Sequence, residues 1–194
     1  MKYYKLTDEN YQTEGGTKWG EGITHKATSK GEELCSTDVI HVYDHPLKAA
    51  MFNCIHANFT NPVLWECKIK KVVANDQLKV GVKQCTTIKR LPLPQITINQ
   101  RVYFAILCAL QVYKEESFVQ WAEEWLSGKD RTWTAAEAAF AATEIAEAAG
   151  AAEAARAAAL AARAAALAAA EVAKTAIWAQ ADFVSLIKKA IRKE

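Results

Sequence analysis

No charge of one sign dominates this chain. Its 24 lysines and arginines stand against 22 acidic residues, for a net charge of +2. That balance excludes both the basic footprint of a typical polynucleotide binder and an acidic tail. No two of the five cysteines (Cys35, Cys54, Cys67, Cys85 and Cys108) stand at C-x-x-C spacing, and their number is odd. A disulfide framework is therefore not expected, and a reducing, cytoplasmic setting fits. Met1-Lys2-Tyr3-Tyr4 carries no apolar core of the kind a secretory leader needs. There is no P-loop, no G-x-S-x-G and no G-x-G-x-x-G. The common signatures of nucleotide hydrolysis, serine-hydrolase chemistry and dinucleotide redox are thus missing.

What the chain has in excess is alanine. From Ala135 to Ala179, 27 of 45 residues are alanine. Alanine loses no side-chain entropy in a helix, so the tract is predicted helical. At about 1.5 Å per residue the rod reaches about 65 Å. Methyl groups bury too little apolar surface to hold it alone. It therefore needs a close partner: its own second half, the preceding domain or another copy. Gly150 either bends or reverses it. Glu153, Arg156, Arg163 and Glu171 interrupt it, which argues against a membrane span. With Leu160, Leu167, Lys174 and Trp178 they form one stripe at spacings of three and four. The expected packing puts alanine faces together and the stripe in water. An ice-binding face would need regular threonines, and only Thr143 and Thr175 occur there.

The first half reads as short strands around one helix. Strands are expected at Tyr3–Leu6, Ile23–Ala27 and Val39–Tyr43. Asp44 is the expected N-cap of a helix opened by Pro46, with Leu47, Ala50, Met51 and Cys54 on one face. In Val63–Ile69, Trp65, Cys67 and Ile69 point one way and Glu66 and Lys68 the other. Asn75-Asp76 turns this strand into a second one carrying Leu78, Val80 and Val82, and Pro92 and Pro94 end the sheet. Three capping boxes then sign helices: Thr97 with Gln100, Ser117 with Gln120, and Thr134 with Glu137. The first helix is apolar nearly all round and expected to lie buried against the sheet; the second carries Trp121 and Trp125 and stops at Gly128. Asp182 caps a last helix whose Phe183, Leu186, Ile187 and Ile191 share a face. The fold class is α+β. Residues 1–115 form a small antiparallel sheet with covering helices, and residues 116–194 form an alanine-rich helical bundle or coiled-coil module.

One constellation goes further. Glu33-Leu34-Cys35, then Ile40-His41-Val42-Tyr43, His45-Pro46, Ala49-Ala50 and Leu64-Trp65-Glu66 resemble a group of phage-encoded proteins. These share a small N-terminal module with a cysteine, a histidine-bearing strand, a proline-opened helix and an L-W-E strand. Many also carry alanine-rich helical tails. The resemblance covers roughly residues 1–95 by motif and the tail by composition. It implies phage origin and an action against bacterial immunity through binding, and it carries over no catalytic residue.

Candidate site residues come from residue chemistry. Tyr4, Trp19 and His25 would form an aromatic pocket that stacks a base, with Lys26 meeting a phosphate. The alternative is ordinary packing. Arg101, in the first turn of the Thr97 helix, would add an anion contact, or it is a solvated side chain. His41 and His45 with Cys35 and Cys54 are weighed as zinc ligands and set aside for lack of ligand spacing, so no metal and no cofactor is expected. Glu66 is the one glutamate that suits an ADP-ribosyltransferase-like reading. Trp121, Trp125 and Trp133 read either as a hinge core or as a partner hot spot. The expected function is non-enzymatic binding that counters host defence. It would sequester a signalling nucleotide or occlude a defence protein, as a homo-oligomer, with no membrane or specific nucleic-acid partner. The alternative is a small transferase acting on a nucleotide or NAD-like substrate.

Overall fold

The computed structural model describes residues 1–112, 116–132 and 182–192. The alanine tract, Gly150, Trp133 and the Thr134–Glu137 box lie outside the described residues, as does the side chain of Ser117. Among the described residues, one compact unit holds 1–96 and 182–187, and a second holds 97–112, 116–132 and 188–192.

The first unit is an antiparallel sheet with helices, an α+β architecture. Its strands are β1 (Tyr3–Thr7), β4 (Thr24–Lys26), β5 (Ile40–Val42), β6 (Val63–Asn75) and β7 (Val80–Leu91). A two-residue pair, β2 (Gln12–Thr13) with β3 (Thr17–Lys18), forms an arm beside it. The sheet order is β1-β6-β7-β4, with β5 also paired to β7. The β6–β7 hairpin is the frame on which the other strands assemble, and it runs on to Leu91, where Pro92 stops the ladder. Its turn is built by side chains. Asp76 Oδ1 accepts from the N–H groups of Leu78 (2.9 Å) and Lys79 (2.7 Å), and Asn75 Oδ1 accepts from Gln77 N–H (2.7 Å).

Register shifts at Glu66/Cys67 and Val72/Ala74 mark irregularities in the hairpin. Such bulges bend strands and increase twist. The sheet curls until its edges meet: Tyr4 N–H donates to Tyr43 O (2.8 Å) and Tyr43 N–H to Tyr4 O (2.7 Å). The core on the inner face is Trp19, Val42, Cys67, Val80, Val82 and Cys85. Gly81 is required by close approach, because a β-carbon there would sit 3.0 Å from Val39 Cγ2 and 3.1 Å from Leu34 Cδ2.

Helix α1 (Pro46–His56) begins one residue later than expected. Pro46 takes the first helical position, so His45 is the N-cap and its Nδ1 accepts from Leu47 N–H at 3.1 Å. Asp44 instead pairs with Lys48, one turn on, at 3.0 Å. The buried side of α1 is also wider than expected. Ala49, Ala50, Met51 and Phe52 are buried, whereas Cys54 is exposed. In the same unit, Phe183 meets Phe52 edge-on, with ring centroids 6.3 Å apart.

The second unit holds α2 (Ile98–Val112) and α3 (Glu116–Ser127). The first capping box forms as expected: Gln100 N–H donates to Thr97 Oγ1 (3.2 Å) and Thr97 N–H to Gln100 Oε1 (2.9 Å). Residues 102–108 of α2 are all buried, and Tyr103 meets Trp125 of α3 at 6.3 Å. Helix α3 ends at Gly128, with φ 81, where Lys129 N–H donates back to Glu124 O at 3.0 Å. Trp121 and Trp125 are both buried, which fits the core reading, and the Arg131 guanidinium lies 4.6 Å from the Trp125 ring centroid. The last helix, α4 (Phe183–Ile191), is capped by Asp182, whose Oδ1 accepts from Ser185 N–H at 3.0 Å. Phe183, Ile187 and Ala190 are its buried residues.

Candidate functional site

Strand alternation sorts the expected site residues, because neighbours along a strand point to opposite faces. On β1, Lys5 faces inward: its ammonium is 5.0 Å from the Trp19 ring centroid and donates to His41 O at 2.9 Å. Tyr4 therefore faces outward, opposite Glu66 of β6. The same outward face continues along the hairpin. Lys68 pairs with Thr86 and Thr86 with Thr24, while Lys70 pairs with Gln84 and Gln84 with Lys26.

These two rows form an open polar surface. Lys68, Lys70 and Lys26 are exposed, and the hydroxyls of Thr24 and Thr86 lie 2.7 Å apart. A groove of about 540 Å³ runs along it, lined by Met1, Tyr3, Ile69 and Ile88 as well as by Lys2, Glu66, Lys68, Lys70, Gln84 and Thr86. The groove offers ammonium, hydroxyl and amide donors to a ligand with anionic oxygens. Glu66 is engaged by Lys2 (3.2 Å) and by Lys89 (3.8 Å).

Trp19 and His25 do come together, but on the inner face. Trp19 is 4% exposed, and its indole N–H donates to Thr13 Oγ1 at 3.0 Å. The His25 ring stands edge-on at 4.6 Å, with its Nε2 2.7 Å from Lys18 O. With Lys5 on one flank and His25 on another, the indole is a packing element and presents no open platform for a base. Arg101 lies in the first turn of α2, in the second unit. There the Thr97–Gln100 box already uses a helix N–H that an anion would need. So Tyr4 and Lys26 lie on the outer face without lining the groove, Trp19 and His25 meet on the inner face, and Arg101 belongs elsewhere.

Residue-type reasoning passed over the lysines of the hairpin and two buried ones. Lys5 is 8% exposed, and burial lowers its pKa, opposed by the nearby sulfurs of Cys85 and Cys67. Cys67 is pushed up by its hydrogen bond to Cys85 and by burial. Lys79, 7% exposed, stands near His41 of β5 and His56 at the end of α1. Burial and the Lys79 charge push His41 down to about 4, and burial, Lys79 and His41 push His56 down to about 3. Tyr43 is shifted upward by burial, and its hydroxyl lies 3.1 Å from His56 Nδ1. The alternation around Lys5 and the turn before Lys79 were visible signals, but which face each lysine entered depended on pairing.

Each of the two histidines weighed as zinc ligands has one ring nitrogen engaged by the backbone. His41 Nε2 accepts from Cys35 N–H at 3.1 Å, and His45 Nδ1 serves as the α1 cap. Among the described residues no group of three or more potential ligands converges. No helix among them is long and apolar enough to cross a membrane. No protein-family model, curated protein or solved structure matches the chain.

Proposed function

We propose that this chain is a phage-encoded, non-enzymatic binding protein that counters bacterial immune defence by sequestering a phosphate-bearing signalling nucleotide on the outer face of its sheet. The observation that carries this reading is the pair of rows Lys68–Thr86–Thr24 and Lys70–Gln84–Lys26 beside the groove. Ammonium groups and hydroxyl donors on adjacent strands suit phosphate oxygens, and Tyr4 adds an aromatic edge on the same face. In this reading residues 116–194 form the alanine-rich helical bundle or coiled-coil module. They join copies into a homo-oligomer, so that several identical grooves act together.

Calorimetry with cyclic dinucleotides and ADP-ribose derivatives tests the ligand. Binding is expected in the parent and is lost in a Lys68→Glu, Lys70→Glu variant whose melting is unchanged. No heat from any of these nucleotides leaves the second mode, occlusion of a defence protein by the helical arm. Native mass spectrometry reads the assembly. A strict monomer removes the multivalent part of the proposal.

A further inference from the structure

The thiol of Cys35 has an unusual neighbour. Cys35 lies in the loop before β5, is exposed, and holds φ 62, a left-handed conformation that suits glycine or asparagine better than cysteine. The loop is tied down: Lys83 Nζ donates to Ser29 O (3.1 Å), to Asp38 O (2.9 Å) and to Gly31 O. Cys35's own N–H is held by His41 Nε2.

Behind the sulfur stands Lys79, more than nine-tenths buried, with Nζ 2.8 Å from Cys35 Sγ. Among the described residues no carboxylate is within ion-pair reach of this ammonium, and the sulfur is its one hydrogen-bond partner. Glu32, in the same loop, pairs with Lys71 instead, at 3.4 Å. A buried ammonium aimed at one sulfur presents positive charge and a hydrogen-bond donor to that atom. Cys35 is an exposed residue, and the anion is the form in which a cysteine attacks.

We propose that Cys35 is a nucleophilic modification site for low-molecular-weight disulfides of the glutathione type, with Lys79 as its positioning residue. The Cys35 proton passes to solvent. The sulfur attacks one sulfur of the disulfide and a new S–S bond forms. The old S–S bond breaks with its electron pair on the departing sulfur, which takes a proton from solvent. The reagent is the oxidant, so no other is needed.

The test incubates the full chain with oxidised glutathione and follows each cysteine by peptide mass mapping. Cys54 is also exposed, and its Sγ lies 3.6 Å from Met51 O, so it serves as the internal reference. Cys35 is expected to react about tenfold faster than Cys54, and Lys79→Met is expected to remove that advantage. Cys67, Cys85 and Cys108 are buried and report folding, since they stay unlabelled only while the chain is folded. Equal rates at Cys35 and Cys54 in the parent overturn the proposal, whatever the variant does. A folded Lys79→Met that keeps the full advantage overturns it as well. None of these readings involves a nucleotide, so the sheet-face function stands or falls separately.

Discussion

Two histidines, His41 on β5 and His56 at the end of α1, make stability depend on pH in a way that can be worked out. His41 is held down to about 4 and His56 to about 3, both chiefly by burial. In the unfolded chain a histidine titrates near 6.5. Between these values the unfolded state binds more protons than the folded one. Stability is therefore fully present above about pH 6.5 and falls as pH drops toward the folded values. Each ring kept neutral costs about 1.4 kcal/mol per pH unit, hence about 2 kcal/mol at about pH 5 and about 4 for the pair. Both rings retain some contact with water, which screens the penalty, so about 2 kcal/mol in total is the expected loss. Against a typical folding stability of about 5–15 kcal/mol that is a large fraction. Urea midpoints at about pH 7.5 and about pH 5, with constant slopes, measure it, and that window stays above the carboxylate range. His41→Asn with His56→Asn should flatten the difference between the two pH values. A double variant that loses as much stability as the parent would refute the assignment to these rings.

Three further outcomes follow from packing. Trp65 Nε1–H donates to Thr7 Oγ1 at 3.1 Å inside the core. Thr7→Val strands that donor and should cost about 1–3 kcal/mol, and a double-mutant cycle with Trp65→Phe should show coupling above about 0.5 kcal/mol. Gly81→Ala forces a β-carbon onto Val39 and Leu34 and should cost about 1–3 kcal/mol by denaturant titration, while a neutral result means those side chains move aside. Thr97→Ala removes the cap accepting from Gln100 N–H and should cost about 1 kcal/mol, read as a lower melting temperature.

Much of the local architecture was legible because its causes are local. Thr97 and Gln100 are three residues apart, and so are Asp182 and Ser185, so their caps can be read from spacing alone. The alternation Trp65, Cys67, Ile69 against Glu66 and Lys68 likewise announced two faces before any partner was known. The misplaced cap at Asp44 shows the limit of such reading. Two acceptors stood side by side, and the proline's position in the first turn decided between them.

The candidate site was far less legible. Tyr4, Trp19, His25 and Lys26 were grouped by residue chemistry, yet adjacent strand positions face opposite ways, so neighbours in sequence parted company. Whereas the expected wet face of the second hairpin strand is buried from Lys79 to Val82, the chain by itself determined most of the segments that become strands and helices, where several of them start and stop, and the wet and dry sides of the first hairpin strand. Those outcomes depend on contacts within a few residues and on periodicity. Only the tertiary structure decided which wet sides lie together, joining Lys26 to Lys70 through Gln84, and brought Lys79 to Cys35 across 44 residues. Register and sheet closure are settled by long-range pairing, whose energy no single segment contains.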